Sequence, residues 1–170
     1  MRHPTARREQ EVVIVRPLDG TDARILLALD DDPGATVVAL AERLGLARNT
    51  VHARLRSLEA DGALAPPSVR VRPAHAGLPV LAFLTLAISQ GDADATIAEI
   101  AAVPEVCEMH AITGDGDLHV RVVAADNADL HRITGRLLGC TGVVRSSTVI
   151  SMVEVVPLRT APTLSGIADR

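Results

Sequence analysis

Between residues 18 and 64 the apolar positions recur at the spacing of a helix. Ile25, Leu26 and Leu29 share one face of a first segment, which Asp22 or Thr21 can cap and Asp30-Asp31-Asp32-Pro33-Gly34 breaks. Thr36 caps a second helix reaching Leu44, with Val37, Leu40, Ala41 and Leu44 inward, and Gly45 supplies a left-handed turn. A third helix runs over 48–60, its stripe Val51, Leu55 and Leu58 spaced i, i+4, i+7, and Asp61-Gly62 stops it. Three short helices with a tight glycine turn between the last two predict a helix-turn-helix.

Beyond residue 64 the period changes. Residues 65–79 are rich in proline, carry Arg70 and Arg72, and read as a linker with one short strand at 68–72. A continuous apolar strand at 80–88 follows, then an amphipathic helix at 93–102 using Ile97, Ile100 and Ala101. Strands at 106–113 and 118–124 flank Gly114-Asp115-Gly116-Asp117, a hairpin signal. A helix at 127–138 turns Leu130, Ile133, Leu137 and Leu138 inward, and a long strand closes the series at 143–156. The order β-α-β-β-α-β is ferredoxin-like, so the fold class is α+β. The expected organisation is a basic arm (1–17), a helix-turn-helix domain (18–64), a linker (65–79), the ferredoxin-like domain (80–157), to which the resemblance given below adds effector binding and oligomerisation, and a tail (158–170).

Composition narrows the chemistry. Of 170 residues, 48% are apolar and 22% charged, the balance of a folded chain. One Phe and no Tyr or Trp exclude modules that stack bases on aromatic rings. Lysine is absent, so all 17 basic residues are arginine, as GC-rich bacterial codons would encode. A net charge of −4 excludes a uniformly basic coat but leaves room for a local basic patch. Cys107 and Cys140 cannot form a disulfide framework or a four-ligand zinc site, and Cys107-x-x-His110 is at most a two-ligand fragment. No cofactor or metal is therefore expected. No signal peptide or membrane-length apolar run is present, so a cytoplasmic protein without membrane contact is expected.

Two sets of motifs stand out. The N-terminal set is Leu18-Asp19-x-x-Asp22-x-x-Ile25-Leu26-x-x-Leu29, then Leu40-Ala41-x-x-Leu44-Gly45-Leu46, then Val51-x-x-Arg54-Leu55-x-x-Leu58-Glu59-x-x-Gly62. The C-terminal set is Val103-Pro104-Glu105-Val106, Thr113-Gly114-Asp115-x-Asp117-Leu118 and Gly142-Val143-Val144-Arg145-Ser146-Ser147-Thr148. In order and spacing these motifs resemble the Lrp/AsnC family of bacterial transcription regulators. Three positions depart from the family's pattern: Gly116 stands where an aromatic residue is usual, Ala47 where a serine caps the recognition helix, and Ala65-Pro66-Pro67 where an isoleucine-glycine-tyrosine-like run is usual.

In the third helix Arg48, Asn49, His52, Ala53 and Arg56 face outward, with Arg54 at the flank; residues 48–56 hold three arginines and no acid. Laid in a major groove, Arg48 suits guanine, Asn49 adenine, and Thr50 or Ala53 a thymine methyl, while Arg54 and Arg56 suit phosphates. The competing reading of the same helix is a solvated face on an association module that does not bind DNA. The loop at 114–117 is at minimum a hairpin turn. The resemblance implies more: Gly114, Asp115 and Asp117, with Ser147 and Thr148, forming an effector pocket for an amino acid or similar molecule between subunits. It also implies homodimers that assemble further, commonly to octamers, on double-stranded DNA. An alternative with the same architecture is a tetrapyrrole-related decarboxylase, for which aromatic partners and a paired His/Arg cluster are lacking. No P-loop, nucleophile elbow or Ser/His/Asp motif appears, and no enzyme activity is expected.

Overall fold

The structure, a computed structural model, describes residues 16–89 and 91–170; all but Arg16 and Pro17 of the expected N-terminal arm lies outside them. The described residues divide into two compact units, 16–66 with 158–170, and 67–157.

The first unit holds α1 (Gly20–Asp31), α2 (Val37–Leu44), α3 (Arg48–Ala60) and α6 (Ala161–Ala168). The cap of α1 is Asp19, not Asp22 or Thr21. The Asp22 amide donates to Asp19 Oδ1 at 2.9 Å and the Asp19 amide to Asp22 Oδ2 at 3.2 Å. Asp22 is thus the third helical residue of a capping box, which accounts for its acidity near the start without making it the cap. Thr36 accepts from the Ala39 amide at 3.2 Å as expected, and Gly45 ends α2 at φ +66°, a conformation a β-carbon disfavours.

Two apolar clusters stabilise the unit. Ala28, Leu40, Ala41 and Val51 lock α1, α2 and α3 together. Ala23, Leu26 and Leu58 form the second with Leu164 of α6. The segment expected as a tail therefore contains a helix whose Leu164 is only 8% exposed in this core.

The second unit carries β1 (Val80–Ile88), α4 (Ala93–Ala101), β2 (Val106–Ala111), β3 (Leu118–Ala124), α5 (Asn127–Leu138) and β4 (Val143–Ile150). Its sheet is antiparallel in the order β2-β3-β1-β4, the ferredoxin-like arrangement. Ala82, Leu84 and Leu86 of β1 and Leu118, Val120 and Val122 of β3 point to the side where Ile100, Leu130, Ile133 and Leu137 of the helices close the core. Within α4 the inward position belongs to Thr96 rather than Ala101, because its hydroxyl donates to the Thr141 carbonyl at 2.7 Å and needs no solvent. Leu138 is 45% exposed, lying off the inward stripe of α5.

Three expected strands differ, the slightest being β2, which ends at Ala111 and not at 113. β4 stops at Ile150 instead of running to 156: the Ser151 amide still donates to the Leu81 carbonyl at 2.8 Å, but continuing the register sets Val153 opposite Pro79, which has no N–H. Residues 68–72 form no strand; 3₁₀ turns occupy Pro67–Arg70 and Pro73–Ala76, where proline fixes φ near the value such a turn needs. No helix among the described residues is long and apolar enough to cross a membrane.

Candidate nucleic-acid interface and ligand loop

α3 buries Val51 and Leu58 completely and Leu55 in part, which turns the opposite side outward. Arg48, Asn49, Thr50, His52, Ala53 and Arg56 are all exposed there. Arg48 and Arg56 have no ion-pair partner among the described residues.

Arg54 is placed differently. Its Nη1 lies 2.5 Å from Asp19 Oδ2 and 3.1 Å from Asp22 Oδ1. The Asp22 side chain is fully buried and also receives Arg16 Nη1 at 3.0 Å, while Arg16 Nε reaches Asp61 at 3.4 Å. Two guanidinium groups thus neutralise a carboxylate held away from water, a condition for burying it at tolerable cost. The Asp22 amide, and then Arg54, hold the Asp19 carboxyl below its ordinary range; the hydrogen bond to Asp19 in turn raises Arg54. Arg54 accordingly clamps α3 to the start of α1, where sequence reasoning gave it a phosphate. The motif contains all three residues, yet 35 and 32 positions separate Arg54 from its partners, so spacing gave no signal of the pairing. Elsewhere in the unit, Arg43 pairs with Asp31 and Arg24 donates to the Leu44 carbonyl at 2.9 Å. The N-cap of α3, Ala47, accepts no side-chain hydrogen bond.

The loop between β2 and β3 is built against β1. Asp117 Oδ2 accepts from the Ile88 amide at 2.8 Å, and the Asp117 amide donates to the Leu86 carbonyl at 2.9 Å. One oxygen of this carboxylate is therefore spent on holding the turn. Gly114 and Asp115 are exposed, and the Asp115 carbonyl accepts from Arg145 Nη2 at 2.5 Å. Sequence reasoning missed Arg145 as a loop-holding residue, although it lies in the Gly142-to-Thr148 motif. Gly116 leaves no room for a side chain in this backbone, since a β-carbon there would sit 2.5 Å from Thr85 Cγ2 and 3.1 Å from the Leu86 carbonyl oxygen. Ser147 and Thr148 do not share a wall. Ser147 pairs with Thr85 on the open face, whereas Thr148 pairs with Leu84, whose side chain is on the helix-covered face.

Cys140 is buried, and desolvation pushes its thiol up from the ordinary value; Cys107 is exposed. His110 Nε2 lies 2.8 Å from Glu108 Oε1, and no group of three metal-ligating side chains forms among the described residues.

Known proteins bear on both regions. The family model for a winged helix-turn-helix DNA-binding domain matches residues 18–64, and that for the Lrp/AsnC ligand binding domain matches residues 81–161. The HTH-type transcriptional regulator AldR of Mycolicibacterium smegmatis is 35% identical over 123 residues, 71% of this chain and 72% of that protein. A transcriptional regulator of Neisseria meningitidis, solved as a complex with L-Met, superposes with a TM-score of 0.73 at 26% identity over 85% of this chain and 97% of its own. The structure of Escherichia coli AsnC gives 0.76 at 21% identity, covering 86% and 100%.

A DNA-binding helix-turn-helix joined to a small-molecule domain defines a transcriptional regulator with a ligand-binding module. Within that class, the chain belongs to the Lrp/AsnC family.

Proposed function

We propose that the outward face of α3 reads double-stranded DNA through Arg48, Asn49, Thr50, His52 and Ala53, with Arg56 on phosphate, and that Arg54 positions the helix without touching DNA. The carrying observation is the division of labour among the arginines. Arg16, Arg43 and Arg54 are tied to acids of their own unit, while Arg48 and Arg56 extend from the exposed side of residues 48–56, a stretch that holds no acid. One helix covers too few base pairs for genomic specificity, so the DNA-bound form is a homodimer or a higher assembly such as an octamer.

The effector of this reading is an amino acid or similar small molecule at a subunit interface, near the 114–117 loop with Ser147. The Neisseria relative's L-Met complex supports that chemistry. Such a ligand shifts DNA affinity by a coupling energy of about 1–3 kcal/mol. The regulator works in the cytoplasm and performs no catalysis, a reading that its transcription-regulator relatives favour over a tetrapyrrole decarboxylase.

The test is titration of the full chain onto the DNA upstream of its own gene, across a salt series, with and without the twenty L-amino acids. Sequence-preferring binding that weakens with salt and moves with one amino acid supports the whole reading. Binding that no amino acid moves removes the effector, and binding no tighter than to competitor DNA removes the regulator.

A further inference from the structure

Residues 65–80 lie in neither family match: the helix-turn-helix match ends at 64 and the ligand-domain match begins at 81. The fold nevertheless gives this stretch a definite shape. The Val71 amide closes the first 3₁₀ turn on the Ser68 carbonyl at 3.1 Å, and the His75 amide donates to the Arg72 carbonyl at 3.0 Å. Gly77 ends the second turn at φ +81°, with the Leu78 amide on the Pro73 carbonyl at 3.0 Å. Proline at 66, 67 and 73 fixes φ before anything binds, so binding has less chain to order. Ser68 to Arg72 are all exposed, Val69 by 66% and Val71 by 59%.

Charge is what sets the stretch apart. From Gly62 to Gly91 there is no acid, in a chain whose net charge is −4. Arg70 and Arg72 have no ion pair or side-chain hydrogen bond among the described residues, whereas Arg132 and Arg145 of the same unit are bonded to Glu105 and to the Asp115 carbonyl. Two exposed guanidinium groups without a counter-charge suit a polyanion. A second copy of the segment does not supply one, because a two-fold pairing sets the same acid-free stretch against itself. The segment is also tied to α3. The amides of Ala63 and Leu64 both donate to the Leu58 carbonyl, at 2.9 and 3.2 Å, and Arg70 follows Leu64 by six residues, a reach of at most about 20 Å. A duplex carries one phosphate charge per about 1.7 Å of its axis, so a duplex held by α3 offers phosphates within that reach.

We infer that Arg70 and Arg72 form a second DNA contact, holding backbone phosphates that flank the bases read by α3, a contact that rests on the DNA-binding reading of that helix. Phosphate contacts add affinity and salt dependence and fix the position of the protein on the duplex, and they carry no sequence information directly. The two sets of residues therefore leave different signatures: α3 sets the preference among sequences, and the turn arginines strengthen binding to all of them.

The experiment titrates the full chain onto two duplexes of equal length across a salt series: the DNA upstream of its own gene and an unrelated sequence. R70Q/R72Q is expected to lower the slope of log affinity against log salt by about 2 on both duplexes and to weaken binding by about 10-fold or more near 0.1 M salt. The preference between the duplexes stays as it was. R70K/R72K keeps the slope, because an ammonium serves a phosphate as a point charge. An unchanged slope in R70Q/R72Q overturns the inference and leaves the reading of α3 in place. A lowered slope in a chain that prefers neither duplex removes base reading by α3 and keeps the contact, whereas an unaltered chain that binds neither duplex overturns both. Each variant is also sedimented without DNA: a slope that falls together with self-association assigns the arginines to contact between copies and overturns the DNA contact. Where the double substitution moves the urea midpoint, R70Q and R72Q singly, each lowering the slope by about 1, carry the same comparison.

Discussion

Asp22 shows how much one side chain can organise. Its carboxylate is buried, closes the capping box of α1, and receives both Arg16 and Arg54. Removing one guanidinium leaves that buried charge under-compensated, so Arg54→Ala is expected to destabilise the protein by about 1–3 kcal/mol in urea denaturation. DNA affinity of the fraction that remains folded then falls because α3 loses its clamp. By contrast, Arg56→Ala leaves the melting temperature in place and lowers the slope of log affinity against log salt by about 1. An unchanged salt slope would remove Arg56 from the phosphate contacts. Ala47→Ser supplies the missing cap of α3 and raises stability by about 1 kcal/mol, read in the same urea series.

The acids also set the pH response. Asp19, Glu105 and Asp129 titrate below their ordinary values of 3.8, 4.5 and 3.8 in the folded chain. Their contribution is therefore complete above those ordinary values and is lost as pH falls through the depressed folded ones. Thermal stability is expected to hold from neutral pH down to about pH 5 and to decline in more acid solution. Asp19→Asn should flatten part of that decline.

At the scale of the element, α6 changes what counts as the DNA-binding domain. Leu164 joins Ala23, Leu26 and Leu58 in one cluster, so residues 18–64 leave part of their core to the far end of the chain. Leu164→Ala is expected to cost about 2–5 kcal/mol by loss of buried volume. In hydrogen exchange, the faster-exchanging amides should be those of α1 and α3, not those of the sheet. Equal loss of protection in β1 and β3 would show that α6 supports something else. The shortness of β4 belongs to this scale too. Apolar residues continue to Val156, but a strand needs a neighbour, and at Pro79 the neighbour has no donor.

For the whole molecule, the division into two units joined twice, near residue 67 and near residue 157, makes a physical expectation about exposure. Arg70, Arg72 and Arg159 are exposed and lie in these connections, whereas Arg121 is held inside a sheet. Brief trypsin digestion should cut at the first three and release an intact fragment of about 73–159, because local opening is cheapest where few contacts hold the backbone. Early cleavage within 80–150 would contradict the division.

Local order is legible in the chain alone. Helical spacing in 18–64, period-two and continuous apolar runs after 80, and the capping and turn residues Thr36, Gly45 and Asp61-Gly62 set the elements close to where they lie, because such signals act over a few residues. The chain alone determined the outward face of α3 as well, since Val51, Leu55 and Leu58 fix the inward one. Relations between distant residues were left to the tertiary structure. The Arg54 clamp, the fold-back of α6 onto α1, the end of β4 opposite Pro79, and the separation of Ser147 from Thr148 across the sheet each depend on a partner tens of residues away. No periodicity within one segment carries that information. Pairing is chosen by the packed core and by the need of every buried polar group to find an acceptor or donor.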